Sequence, residues 1–321
     1  MYIVTGGAGF IGANIVAGLN ARGITDILVV DNLERAEKFL NIRDLQIADF
    51  MDKREFRHHL ETEFFTNMPV QAIFHEGACS DTMEYNGRYM MDNNFTYSKL
   101  LLDHAIRRGI PFIYASSAAT YGASKAFEEK PENEMPLNVY GYSKLLFDQL
   151  VRRYLDQVES TVVGLRYFNV YGPREHQHKG KMASQAYQLY AQIKDHGYCE
   201  LFEGTGGYAN GEQSRDFISV DDVVDFNLFL ADSAEPIKGV INLGTGLSRS
   251  FNAVAQAVID TLGTGEIRYK PMPEVLLDKY QNYTCADMTH ARAVSGYDKP
   301  FLSVEDGVKR YVQWLEARAA E

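Results

Sequence analysis

The sequence predicts an α/β protein: a doubly wound parallel sheet with a smaller C-terminal lobe. Three observations lead there. Short apolar runs alternate with longer amphipathic stretches through the first half. A glycine-rich turn, Gly6-x-x-Gly9-x-x-Gly12, follows the first apolar run at once. The alternation breaks after about residue 170, where other patterns take over. Strand–helix alternation at this spacing is the signature of parallel strands joined by crossover helices.

The elements follow in order. Ile3-Val4, Ile27–Val30, Ala72–Phe74, Phe112–Ala115 and Val162–Leu165 read as buried strands. Gly12–Arg22, Tyr97–Arg108 and Ser143–Tyr154 read as helices between them. Beyond residue 170, Gly/Asn-rich Glu203–Gln213 reads as an exposed loop, and Phe217–Val220 and Val240–Leu243 return to strand character. The expected organisation is a Rossmann-type nucleotide-binding unit over 1–169, with 214–243 returning to it. A smaller substrate-binding lobe then takes 170–213 and 244–321.

Composition limits the function. At 321 residues the chain can bury a large core. A net charge of −11 argues against general binding to nucleic acid or an anionic membrane. No stretch approaches the ~20 apolar residues of a membrane span. Strand-like Tyr2-Ile3-Val4 directly follows Met1, so no signal peptide is expected. Cys79, Cys199 and Cys285 are isolated, without metal or redox spacing, which fits a reducing cytoplasm. The histidines near residue 178 lack a ligand pattern, so no metal is expected.

Gly6, Gly9 and Gly12 sit between a strand and a helix. There glycine permits a tight turn and close approach to a pyrophosphate at the helix N-terminus. Asp31 ends the second strand, where a carboxylate commonly binds a ribose 2′-hydroxyl of NAD. Lys38 and Lys53 follow and suit a 2′-phosphate, hence NADP. Spacing alone leaves the two open. Tyr140 and Lys144, at i and i+4, face one side of a helix. An ammonium beside a phenol lowers its pKa and lets it exchange a proton with a substrate hydroxyl. Ser117 closes a strand at the edge where α/β sheets gather ligands, and can hydrogen-bond the reacting oxygen.

Six ordered motifs, TGGAGFIG, SSAATYG, YGYSK, RYFNVYGPR, RDFISVDDV and NLGTG, resemble the extended short-chain dehydrogenase/reductase family across nearly the whole chain. Members are mostly nucleotide-sugar epimerases, dehydratases and reductases. Within that family HEGACS, MMDNN, LNVYGYSK, HKGKMAS and YDKPF are similar to the ADP-heptose 6-epimerases. That resemblance implies tightly held NADP, an ADP-heptose substrate of the lipopolysaccharide inner core, and a homopentamer. It implies a second base at Lys179, also near the cofactor. The cofactor contacts it implies are Phe10, Ile11, Asp31, Asn32, Lys38, Lys53, Glu76, Gly77, Ala78, Cys79, Ser80, Asn93, Lys144 and Val170. The substrate contacts it implies are Asn169, Lys181, Gln188, Phe202, Glu203, Gly204, Thr205, Arg215 and Tyr280.

Inverting a carbon that bears a hydroxyl and no acidifying neighbour calls for transient oxidation, return of hydride to the other face, and proton exchange in two orientations. Other readings stay open. A sugar dehydratase needs an acid–base pair after the strand-end hydroxyl residue, and Ala118 and Ala119 stand there. A UDP-hexose 4-epimerase shares the turn and the tyrosine–lysine pair, as nothing here selects adenine over uracil. A non-catalytic NADP-binding sensor would have no use for that pair.

Overall fold

The computed structural model describes residues 1–175, 182–277 and 280–319. The strands are β1 (Tyr2–Thr5), β2 (Ile27–Asp31), β3 (Asp49–Asp52), β4 (Ala72–His75), β5 (Phe112–Ser117), β6 (Val162–Tyr167), β7 (Asn169–Tyr171), β8 (Cys199–Phe202), β9 (Ser214–Ser219), β10 (Lys238–Leu243), β11 (Ser248–Ser250) and β12 (Ile267–Lys270). Among the described residues, seven form a parallel sheet in the order β10-β6-β5-β4-β1-β2-β3. The chain runs outward from β1 to β3, then crosses back to β4 and continues to the other edge. The β1–β4 boundary is therefore the switch point where an open α/β sheet leaves a crevice at its C-terminal edge.

The helices that place the site are α1 (Phe10–Ala21), α2 (Lys53–Glu61), α3 (Gly87–Met91), α4 (Tyr97–Arg108), α5 (Val139–Arg152), α6 (Gln185–His196), α7 (Val220–Ala231) and α8 (Phe251–Leu262). One face of the sheet buries Val4, Phe74, Ile113 and Leu165 against α1 and α7 residues such as Val16 and Val224. The other buries Ile3, Ile73, Phe112 and Tyr114 with Leu101 of α4 and Phe147 of α5. Every second strand residue goes to each face, the period that a two-sided buried sheet requires. Full burial of each large apolar side chain contributes about 1.5–3 kcal/mol.

Helix α5 begins at Val139, ahead of the Ser143–Tyr154 stretch read as helical and early enough to carry Tyr140, as the Tyr140–Lys144 spacing requires. The Asn138 side chain accepts from Gly141 N at 2.8 Å and caps it. Val220, expected to end a strand, instead opens α7, because Ser219 accepts from Asp221 N at 3.2 Å. Of the returning segment, β10 joins the central sheet, whereas β9 pairs with β7 and β11 in a separate sheet. A third cluster holds Leu189 of α6, Leu201 of β8 and Val254 of α8. Its residues lie in the C-terminal part of the chain. No helix among the described residues is long and apolar enough to cross a membrane, and none of their His, Cys, Asp and Glu side chains group as a metal site would require.

Candidate active site

The glycine turn is a built cradle. Gly6 has φ +65°, and a Cβ there would stand 2.7 Å from Gly77 N. A Cβ on Gly12 would strike the Gly6 carbonyl. The loop thus presses against the peptide that leaves β4, and only glycine fits. Helix α1 starts at Phe10 with no side-chain cap and no acidic residue in its first turn, which leaves Ile11 and the positive helix end suited to an anion.

Asp31 is buried at the end of β2. Its carboxylate accepts from Ala8 N at 3.0 Å, Asn32 N at 2.7 Å and Lys38 Nζ at 2.5 Å. The carboxylate therefore ties down the glycine loop and holds Lys38. The chain after Asn32 carries Ala36 where a flexible loop of the resembling family would carry glycine, and forms a short 3₁₀ helix over Ala36–Asn41 that delivers that lysine. Lys53, the first residue of α2, donates to Asn93 Oδ1 at 2.6 Å. One cavity is lined by Gly6, Asp31, Asn32, Lys38, Lys53, Gly77, Ala78, Cys79 and Asn93. Its glycine wall and two ammonium groups suit the phosphates of a nucleotide. Tyr89 and Tyr97 also line it, and nothing in their spacing marked them.

Asn94 was not anticipated either. It lies in a π-helical turn, Asp92–Thr96, and such turns often occur at functional positions. Its side chain accepts from Cys79 N at 2.8 Å, donates to Cys79 O at 2.9 Å, and reaches Ser143 Oγ at 3.1 Å. It fastens the loop after β4 to α5. Ser80, on that loop, is exposed.

On α5, Tyr140 and Lys144 follow the cap. Tyr140 is half-buried and hydrogen-bonds Ser117. Burial pushes its pKa above the ordinary phenol value, the Ser117 bond opposes the rise, and Cys79 and Glu76 add to it. Lys144 does not sit on the phenol. Its Nζ donates to the Ala115 carbonyl at 2.7 Å, and burial lowers its pKa to about 8. The expected helical pair thus shares a face, but each partner bonds to the end of β5. Ser117 also accepts from Ala119 N at 3.1 Å, so it caps the next turn as well as meeting Tyr140.

The register of α5 is set by Asp148, which is fully buried. It accepts from Tyr114 Oη at 2.9 Å, Ser116 Oγ at 2.8 Å and Arg166 Nε at 3.0 Å. Arg166 also reaches Glu134. Removing one partner of such a buried pair costs about 3–5 kcal/mol.

On the other side, Arg215 of β9 lies 5.1 Å from the Tyr280 ring centre and 5.5 Å from that of Phe251. Phe202 meets Tyr280 edge-on at 6.0 Å. Thr205 donates to Asn282 at 3.1 Å and Gly204 N to Asn210 at 2.9 Å. Glu203–Gln213, expected to be exposed, is partly internal. Gln213 is buried and donates to Glu203 O at 3.0 Å. Val170 and Asn169 lie on β7 beside β9, and Gln188 lies on α6, where it donates to Ala183 O at 2.7 Å. Lys179 and Lys181 lie outside the described residues. A wider depression, lined by Phe127, Tyr283 and Arg292 among others, contains none of the expected site residues.

Residues 2–244 match the NAD dependent epimerase/dehydratase family. The chain belongs to that family. This epimerase/dehydratase chain is 56% identical, over 312 residues, to an ADP-L-glycero-D-manno-heptose-6-epimerase of Alkalilimnicola ehrlichii, covering 97% of this chain and 96% of the relative. Its fold matches the crystal structure of the Helicobacter pylori enzyme of the same name, with TM-score 0.84 and 31% identity over 98% of this chain and 96% of that one. UDP-glucose 4-epimerase of Thermotoga maritima, solved with UDP-glucose, is also similar, with TM-score 0.81 and 26% identity over 99% of both chains.

Proposed function

We infer that the protein interconverts ADP-D-glycero-D-manno-heptose and ADP-L-glycero-D-manno-heptose by inversion at C6, a step in building the lipopolysaccharide core. The observation that carries the reading is the Tyr140–Ser117 pair beside the dinucleotide cradle, in a chain so similar to a heptose epimerase. We propose NADP as the cofactor. Lys38 and Lys53 offer two positive charges on the cavity that Asp31 also lines, and the Asp31 carboxylate is already engaged by Ala8, Asn32 and Lys38. When bound, the nicotinamide supplies the acceptor and donor of hydride.

The chain's own groups do the rest. Tyr140 exchanges the proton of the substrate C6 hydroxyl, and Ser117 orients the oxygen. Burial raises the phenol and the Ser117 hydrogen bond opposes that rise; we assign to the Lys144 ammonium, one turn away on α5, the charge that eases proton release. Lys179 serves as the second base for the epimer whose hydroxyl is placed differently. Arg215 holds the diphosphate, with the rings of Tyr280 and Phe202 closing that side. On this reading 1–169 hold the nucleotide cofactor, while 170–213 and 244–321 chiefly hold the sugar nucleotide. The family resemblance adds a cytoplasmic homopentamer.

Incubation with ADP-D-glycero-D-manno-heptose and, separately, UDP-galactose, followed by proton NMR of the products, tests the reading. C6 inversion of the first sugar alone is expected. Turnover of UDP-galactose in its place would replace the assignment with a hexose 4-epimerase.

A further inference from the structure

Lys144 is 5% exposed, and its Nζ donates to a neutral carbonyl, that of Ala115. No ion pair to it occurs among the described residues. An ammonium buried in this way is costly unless a carboxylate offsets it. Two carboxylates act on it, Glu76 and Asp148. Glu76 continues β4 past His75, the partner of Tyr114, and so stands beside Ala115, whose carbonyl takes the Lys144 hydrogen bond. Asp148, one turn further along α5, is already committed to Arg166, Tyr114 and Ser116. Glu76, just past β4, has no cation paired to it among the described residues. Its Oε1 accepts from Tyr167 Oη at 2.9 Å, and Tyr167 Oη accepts from Asn227 Nδ2 at 3.1 Å. This short chain of hydrogen bonds runs from α7 through the end of β6 to the floor of the site.

The remaining titratable groups facing these two do not replace Glu76. His75 is neutral: burial holds it at about 3, with Thr5 at 2.6 Å and Ser98 at 2.7 Å on its two ring nitrogens. Burial pushes the Cys79 thiol and the Tyr140 phenol up, so both are uncharged near neutrality.

We propose that Glu76 is a positioning residue that keeps Lys144 protonated through neutral pH, with Tyr167 and Asn227 holding its carboxylate in place. This role differs from the cofactor contact that the family resemblance implies for Glu76. The charges agree with the geometry. Burial lowers Lys144, and Glu76 is the largest influence opposing it, ahead of Asp148 and Cys79. Burial raises Glu76 to about 7, while the Tyr167 hydrogen bond and Lys144 pull it down. The two groups titrate as a coupled pair. Above the Glu76 transition the carboxylate holds the ammonium. Loss of that carboxylate lets the Lys144 midpoint fall towards neutral pH. The consequence for Tyr140 rests on the epimerase reading; the charge state of Lys144 does not.

The test follows lysine ¹³Cε shifts against pH in the full-length protein, with Lys144 assigned by its absence in Lys144→Arg. The wild-type midpoint should lie near 8. In Glu76→Gln it should drop by about one pH unit or more, as expected when an opposite charge nearby is removed. An unmoved midpoint overturns the proposal. Tyr167→Phe removes the donor and leaves the carboxyl, so it should shift Lys144 the same way by less. It decides the matter if Glu76→Gln does not fold, and an unchanged midpoint there also counts against the role. The alkaline limb of the kcat profile should move with the NMR midpoint. A loss of kcat that is equal at every pH, with the limb in place, would mean a structural role only. A shifted midpoint in a protein that does not turn over ADP-heptose would sink the epimerase reading and leave this inference standing.

Discussion

The two sides of the crevice are built differently. On the cofactor side the backbone does most of the work. Gly6 and Gly12 let the loop close on the β4 peptide, and Asp31 fastens it through Ala8 N. On the side we propose for the sugar nucleotide, side chains form the surface. Arg215 lies beside Tyr280 and Phe251, and Phe202 packs edge-on to Tyr280. A backbone cradle tolerates almost no added atom. A side-chain surface can be altered stepwise, with loss of grip rather than loss of form.

Substitutions should expose the contrast, beginning with the most severe. Gly12→Val drives its side chain into the Gly6 carbonyl. The purified variant should carry no nicotinamide nucleotide and show no turnover, measured by extraction and chromatography. Retention of a full complement of cofactor would remove the steric argument. Tyr140→Phe keeps the ring and loses the proton. It should retain cofactor while kcat falls by about 10²–10⁴-fold. Lys179→Met should lower kcat by a similar order if that lysine is the second base. A rise in KM with kcat unchanged would make it a diphosphate contact instead.

Smaller effects should come from the side-chain surface and the cavity rim. Arg215→Lys keeps the charge but loses the flat guanidinium that lies among the rings. KM should rise by about tenfold with kcat nearly constant, as for lost uniform binding. An equal fall in kcat and kcat/KM, with KM unchanged, would place Arg215 in the chemistry. Lys38→Ala should weaken NADP by about tenfold and leave NAD almost unaffected, read by fluorescence titration. If both nucleotides weaken alike, the lysine serves the loop, through Asp31, and not a 2′-phosphate.

Much of the first half was legible because its signals are local. Helix α4 falls on Tyr97–Arg108 as the periodicity indicated. Strands β1, β2, β4, β5 and β6 lie where the apolar runs placed them, whereas β3, Asp49–Asp52, sets only Phe50 and Met51 between its aspartates, too briefly to show as such a run. The pattern of residues showed only Ser143–Tyr154 of α5, because its start depends on one cap, Asn138, and not on periodicity. Val220 was read as strand for a similar reason, since apolar residues serve a strand or a buried helix equally. Asn94 and Tyr167 stand in the motifs MMDNN and RYFNVYGPR, but nothing local assigned them a role. The first acts through a π-turn and contacts with Cys79 and Ser143, and the second through a bond to Glu76 at a sequence separation of 91.

By itself the sequence determined what depends on neighbours along the chain: alternating strands and helices, the glycine turn, and Tyr140 and Lys144 on one helical face. Only the tertiary structure decided what depends on distant groups. Folding turned Lys144 toward Ala115 and Tyr140 toward Ser117, and it seated Lys38 on Asp31. It also enclosed Glu76 with Tyr167 and left Lys144 without an ion-pair partner among the described residues. Spacing along a helix fixes direction, but the charge a side chain carries depends on the water it loses and the dipoles it gains. Those come from elements dozens of residues away.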